Sequence, residues 1–135
     1  MDQETRRFVR QRAGKRITPR VKVWLEIDGR YVFGYGMSEI LKAVERSGSI
    51  KAAAESLGRS YRYVWGRVKK AERALGERLV ETRVGGKGAG RSSLTKRAER
   101  LVADFDALRQ RVFDVAEGEF SSRFRATPRR KPARA

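Results

Sequence analysis

Three features predict a mainly α fold with small β elements, arranged as a winged helix-turn-helix with an N-terminal β-hairpin. Ser49–Leu75 holds two helix signals divided by a short turn at Gly58, Asp28-Gly29 sits between two apolar runs, and from Leu94 apolar residues recur every four and three positions.

Residues 1–20 are polar and arginine-rich, with Phe8, Val9 and Ile17 as the large apolar side chains between Met1 and Pro19. They are expected to form a basic flexible arm ahead of a domain over residues 21–94. Val21, Val23, Leu25 and Ile27 alternate with Lys22, Trp24 and Glu26, the period of a half-buried strand. Asp28-Gly29 is a strong signal for a two-residue hairpin loop, so Tyr31-Val32-Phe33 should return antiparallel. Gly34 and Gly36 end that strand, and Met37, Ile40, Leu41 and Val44 then take helical spacing up to Ser47-Gly48.

In the central unit Ser49 is an N-cap, Ala52, Ala53 and Ala54 favour helix, and Gly58 suits the left-handed position that ends it. Ser60 caps the second helix, over 61–75. Val64, Val68, Ala71 and Leu75 form its buried stripe, which turns Arg62, Tyr63, Gly66, Arg67 and Lys70 elsewhere. Leu79–Val84, the loop 85–91 (Gly-Gly-Lys-Gly-Ala-Gly-Arg) and Ser92–Leu94 read as strand, loop and strand, a β-wing.

A long C-terminal dimerisation helix is expected over 95–118, capped by Thr95. Leu94, Ala98, Leu101, Phe105, Leu108, Val112 and Val115 make a heptad seam, which assigns Leu101, Phe105, Leu108, Val112 and Val115 to a dimer interface. The alternative is that the stripe covers the core of its own domain, with Val102 and Phe113 off the seam. Residues 119–135, with Pro128 and Pro132 among cations, are expected to be a disordered basic tail.

The formal net charge of +17 over 135 residues points to a polyanion as partner, with double-stranded DNA foremost. The chain has no cysteine and no histidine, which removes disulfides and the ordinary zinc, haem and iron–sulfur ligands; no metal and no cofactor is expected. No run approaches the roughly 20 apolar residues that span a bilayer, and the N-terminus lacks a secretory core, so a cytoplasmic, nucleoid-associated location is expected. Glu39, Glu45, Glu55 and Glu72 read as solvated charges on helices, the Gly-rich loop lacks both nucleotide-binding spacings, and no constellation suggests catalysis. The chain is not expected to be an enzyme.

A helix-turn-helix sends its second helix into the major groove N-terminus first, which places Ser60, Arg62, Tyr63, Gly66 and Arg67 at base edges. Arginine matches the guanine acceptors, so Arg62 and Arg67 are the expected direct readers. Gly66 either admits close backbone approach or relieves crowding beneath Trp65. Lys51, Arg59, Lys69, Lys70, Arg73, Arg83, Lys87 and Arg91 are expected on phosphates.

Taken together, V-K-V-W-L-E-I-D-G-R-Y-V-F-G, S-G-S-I-K-A-A-A, S-Y-R-Y-V-W and V-G-G-K-G-A-G-R-S-S-L-T resemble, in order and spacing, the N-terminal DNA-binding domain of the ModE family of molybdate-responsive regulators, itself similar to the LysR-type winged helix-turn-helix. The resemblance covers about residues 19–117. It implies a homodimer formed largely through the long helix, and operator binding through helix 61–75 and wing 85–91. It also places an aromatic pair at Tyr61 and Trp65, read as packing residues. The family's C-terminal molbindin modules have no counterpart in residues 119–135, so any effector is expected to act through a separate sensor protein or at a site the sequence does not predict. The alternative reading is a sequence-independent architectural, nucleoid-associated protein.

Overall fold

The N-terminal hairpin forms where its turn chemistry puts it. In the computed structural model, which describes residues 15–84 and 90–125, strand β1 (Trp24–Ile27) pairs antiparallel with strand β2 (Arg30–Gly34). Asp28 and Gly29 hold φ of 50° and 78°, the two positive values that let a two-residue loop follow the strand twist. The paired strand is shorter than the alternation from Val21 predicts. Val23 and Leu25 are half-buried on the core while Val21 and Ile27 are exposed, because β2 is the strand that packs on the helices. A register shift at Leu25/Glu26 accompanies the burial of two consecutive residues, Val32 and Phe33, which regular alternation does not permit.

The chain continues through helices α1 (Tyr35–Ser47), α2 (Ile50–Leu57) and α3 (Tyr61–Leu75), the wing strands β3 (Val80–Arg83) and β4 (Arg91–Leu94), and helix α4 (Lys96–Phe120). The caps are those the sequence predicts: the hydroxyls of Ser49, Ser60 and Thr95 accept from the N–H groups of Ala52, Tyr63 and Ala98 at 3.0, 3.0 and 3.1 Å. Gly58 turns the chain between α2 and α3 at φ 66°. Val64, Val68 and Ala71 of α3 are buried against α1 and α2, with Leu75 packed at their edge.

The chain divides into two compact units, residues 22–112 and residues 1–21 with 113–135. Within the first, α4 corrects the seam assignment at Phe105. That ring is 1% exposed and meets Phe33 edge to face at 5.2 Å and 71°. Ala98 and Val102 are buried with it and Leu101 packs against the same core. The physical reason is that β2 and α1 leave an apolar face which the first turns of α4 cover, so Phe105 serves its own domain. Asp106 reinforces the contact, accepting from Ser38 at 2.8 Å and pairing with Lys42. Leu108 and Val115 remain exposed and Val112 is half-buried.

In the second unit, the helix outruns the expected boundary at 118 and continues into a π-helical turn, Ser121–Arg125. Phe120 stacks on Phe124 at 5.0 Å, and Arg123 donates to Glu119 at 2.9 Å. These four-apart pairs carry helix into residues that composition alone assigns to a disordered tail. Residues 15–20 hold no regular structure. The rest of the expected arm, residues 1–14, and residues 126–135 of the tail lie outside the described residues.

The wing is fastened to α3 by Glu72, which is a correction to its reading as a solvated charge. Its side chain is 10% exposed. One carboxylate oxygen accepts from the N–H groups of Leu79 and Val80 at 2.8 and 3.2 Å, and the other meets the Lys69 ammonium at 3.1 Å. Burial pushes this carboxyl up, but the two backbone donors and Lys69 outweigh it and hold the pKa below the usual carboxylate range. The folded value lies below the unfolded one, so Glu72 contributes stability at neutral pH that is lost as pH falls from about 4.3 through the folded value. Glu72→Gln is expected to cost about 1–3 kcal/mol at pH 7, measured by denaturant melts, with the gap to the parent protein narrowing below about pH 4. A gap that stays constant with pH would remove the charge from the explanation.

Candidate nucleic-acid interface

Four strips run along α3, fixed by the helical period. Val64, Val68 and Ala71 face the core, so the opposite strip carries Arg62, Gly66 and Arg73. Arg62 and Arg73 are exposed and make no hydrogen bond or ion pair with a described residue. Gly66 sits between them. A Cβ built there meets no atom within 4 Å outside its chain neighbours and its own helix backbone, so no other element covers the helix backbone at this point.

One flank holds Tyr63, Arg67 and Lys70. Arg67 donates through Nη1 to the Tyr63 hydroxyl at 3.1 Å and through Nη2 to the Tyr31 hydroxyl of β2 at 3.3 Å. Its guanidinium lies 5.8 Å from each of these ring centroids, and Arg59 stands over Tyr63 at 4.9 Å. Ser60 uses its hydroxyl oxygen as the α3 cap, leaving its proton to donate outward.

The other flank departs from expectation. Tyr61 and Trp65 are 52% and 43% exposed, so they are not core packing. The inner stripe is already filled by Val64 and Val68, and the aromatic pair falls beside it. With Lys51, Lys69, Arg78 and Thr82 these rings line a cleft of about 240 Å³ between α3 and the wing, and the Lys69 ammonium lies 5.8 Å from the Trp65 ring. Aromatic residues exposed among cations are the signal that was legible in S-Y-R-Y-V-W once the core stripe had been allotted.

The wing brings Arg83 opposite Arg91 at the end of its ladder, both exposed. Like charges directly across strands disfavour the pairing by themselves, and an anion laid between them would relieve that. Lys87 lies outside the described residues. Lys51 on α2 and Lys70 on α3 are exposed. The α3 strip, its two cationic flanks and the base of the wing are therefore brought together on the 22–112 unit. Leu101 and Phe105 are separated from the exposed Leu108 by their packing on the core. Among the described residues no cluster of His, Cys, Asp or Glu could hold a metal, and no helix is long and apolar enough to cross a membrane.

The family described as bacterial regulatory helix-turn-helix protein, lysR family, matches residues 37–99. The chain is similar to the transcriptional regulator ModE of Yersinia pestis, with 35% identity over 83 residues that cover 59% of this chain and 32% of that protein. It is 37% identical over 79 residues to the DNA-binding transcriptional dual regulator ModE of Escherichia coli (strain K12), covering 56% and 30%. The chain thus spans about a third of the length of these relatives. The crystal structure of full-length CbnR complexed with its target DNA shares the fold at a TM-score of 0.51 and 20% identity, over 66% of this chain and 29% of that one. Residues 37–99, with helices capped at Ser49 and Ser60 and a β-wing closing the unit, thus match the lysR family of regulatory helix-turn-helix domains, and the chain is similar to ModE regulators over about a third of their length.

Proposed function

We propose that the chain is a DNA-binding transcription regulator of the ModE kind and not an enzyme, binding double-stranded DNA as a homodimer in the cytoplasm. The observation that carries this reading is the outward strip of α3, where the side chains of Arg62 and Arg73 make no hydrogen bond or ion pair with a described residue and stand beside Gly66 between two cationic flanks. A helix presenting such a face fits the major groove. Arg62 reads a base edge, Gly66 lets the helix backbone close on the groove, and Ser60, Tyr63 and Arg67 border the same bases. Lys51, Arg59, Lys69, Lys70 and Arg73 meet phosphates beside the groove, and wing residues Arg83, Lys87 and Arg91 follow the adjoining backbone, fixing register. The dimer seam runs along the part of α4 not spent on the core, through Leu108, Val112 and Val115.

Selection of bound fragments from a random duplex pool at near-physiological salt tests the reading. A two-fold symmetric motif with half-sites about one or two helical turns apart is expected; a featureless pool would instead make the chain an architectural protein. Gly66→Ala is expected to stabilise the free protein by about 0.5–1 kcal/mol, since alanine favours helix and its Cβ meets no other element, yet to weaken binding of the selected site roughly ten-fold or more by blocking close approach to the groove. Equal effects on the selected site and on random DNA would move Gly66 off the groove. Leu108→Asp is expected to give monomers by light scattering and a large loss of affinity for the paired half-sites, with the melting temperature little changed because Leu108 is 45% exposed. An unchanged mass would place the dimer contact elsewhere.

A further inference from the structure

Arg67 is anchored from outside the helix-turn-helix. Tyr31, which supplies the second hydroxyl to its guanidinium, lies on β2, ahead of the matched segment 37–99. Its ring is 43% exposed, so core burial does not account for its placement. The ring rests over Gly34, where an added Cβ would come within 2.7 Å of the Tyr31 oxygen and 3.1 Å of its Cε2. Gly34 itself is in extended backbone, φ −156° and ψ −166°, a conformation open to any residue, so the need for glycine there is the seat of the ring.

We propose that Tyr31 is a positioning residue for DNA sequence readout: the N-terminal hairpin, through the Tyr31 hydroxyl and ring, presets the Arg67 guanidinium on the flank of α3 and so helps to set which base pair is preferred. Phenols orient the guanidinium without cancelling its charge, since no carboxylate pairs with Arg67 among the described residues. Two of its five N–H donors are taken by the hydroxyls, and three remain for the groove. A long side chain held in place loses less freedom on binding and can discriminate more sharply between acceptors than one that swings. The hairpin thereby becomes part of the recognition surface while touching no base. This inference rests on the regulator reading above.

The test measures binding of the full chain to a labelled duplex carrying the motif selected by the parent protein, and to its single-base-pair variants. Arg67→Ala identifies the base pair that depends on Arg67. Tyr31→Phe removes the hydroxyl and keeps the ring, while Gly34→Ala keeps both side chains but displaces the ring; each is expected to lower discrimination at that same base pair by about three- to ten-fold, leaving the other positions of the motif unchanged. With Arg67 already replaced, Tyr31→Phe should have no further effect. Thermal melts of each variant exclude unfolding as the cause. Retention of the full preference in both Tyr31→Phe and Gly34→Ala, additive effects in the double variant, or a uniform loss at every position would overturn the proposal while leaving the regulator reading in place. Absence of any motif for the parent protein would overturn both.

Discussion

The wing keeps its relation to the recognition helix because one buried carboxylate closes the open edge of a two-stranded sheet. In the β3–β4 ribbon each strand has a single partner, so N–H groups near the start of β3 need another acceptor where the wing meets the domain. A buried backbone donor left unsatisfied costs about 1–3 kcal/mol. Glu72, near the C-terminal end of α3, answers with one oxygen for Leu79 and Val80 and turns the other to Lys69. Two further backbone ties act in the same place: the N–H of Ser92 donates to the carbonyl of Gly48 at 2.7 Å, and the N–H of Thr95 donates to the carbonyl of Leu79 at 3.0 Å. The wing is thus held from α3, from the turn between α1 and α2, and from the start of α4. Three anchors on different elements fix a small ribbon far better than its own short ladder could.

That arrangement separates what sequence patterns can reveal from what they cannot. Caps, the Asp28-Gly29 turn and the Val64–Leu75 stripe act over a few residues, and each is legible because its cause is local. Glu72 was not, since its partners arrive from a strand whose edge no helical pattern records. Phe105 fits a seven-residue repeat as well as it fits the core, and only the Phe33 ring, 72 positions earlier, decides between them. Tyr61 and Trp65 carry enough apolar area to look like core, yet the inner strip of α3 has room only for valine and alanine. The helical extension through Ser121–Arg125 was hidden for the opposite reason: composition averages over a segment in which Phe120, Phe124, Glu119 and Arg123 are specifically paired.

The candidate interface was readable as a set of residues more than as a geometry. Helical spacing alone places Arg62 and Gly66 away from Val64 and Val68. It does not say that Arg67 leans on a hairpin, or that Trp65 opens a cleft toward the wing. α3 accordingly serves several demands at once, with its inner strip occupied by packing, one flank by the Tyr31–Arg67–Tyr63 cluster, the other by Glu72 and the aromatic cleft, and the outer strip engaged by no described side chain.

The same division applies to charge. A net +17 attracts any polyanion, and it would do so equally if the cations were spread at random. Ion pairs among the described residues include those of Lys42, Lys69, Arg97 and Arg123, whereas the side chains of Arg62, Lys70, Arg73, Arg83 and Arg91 pair with no described carboxylate. Two of these pairs join different elements, Lys42 with Asp106 and Arg97 with Glu77, and serve the packing of α4 and the start of the wing. Cations outside such pairs keep their full charge at the surface, and those of the outer α3 strip and the wing base add to the positive potential on that face.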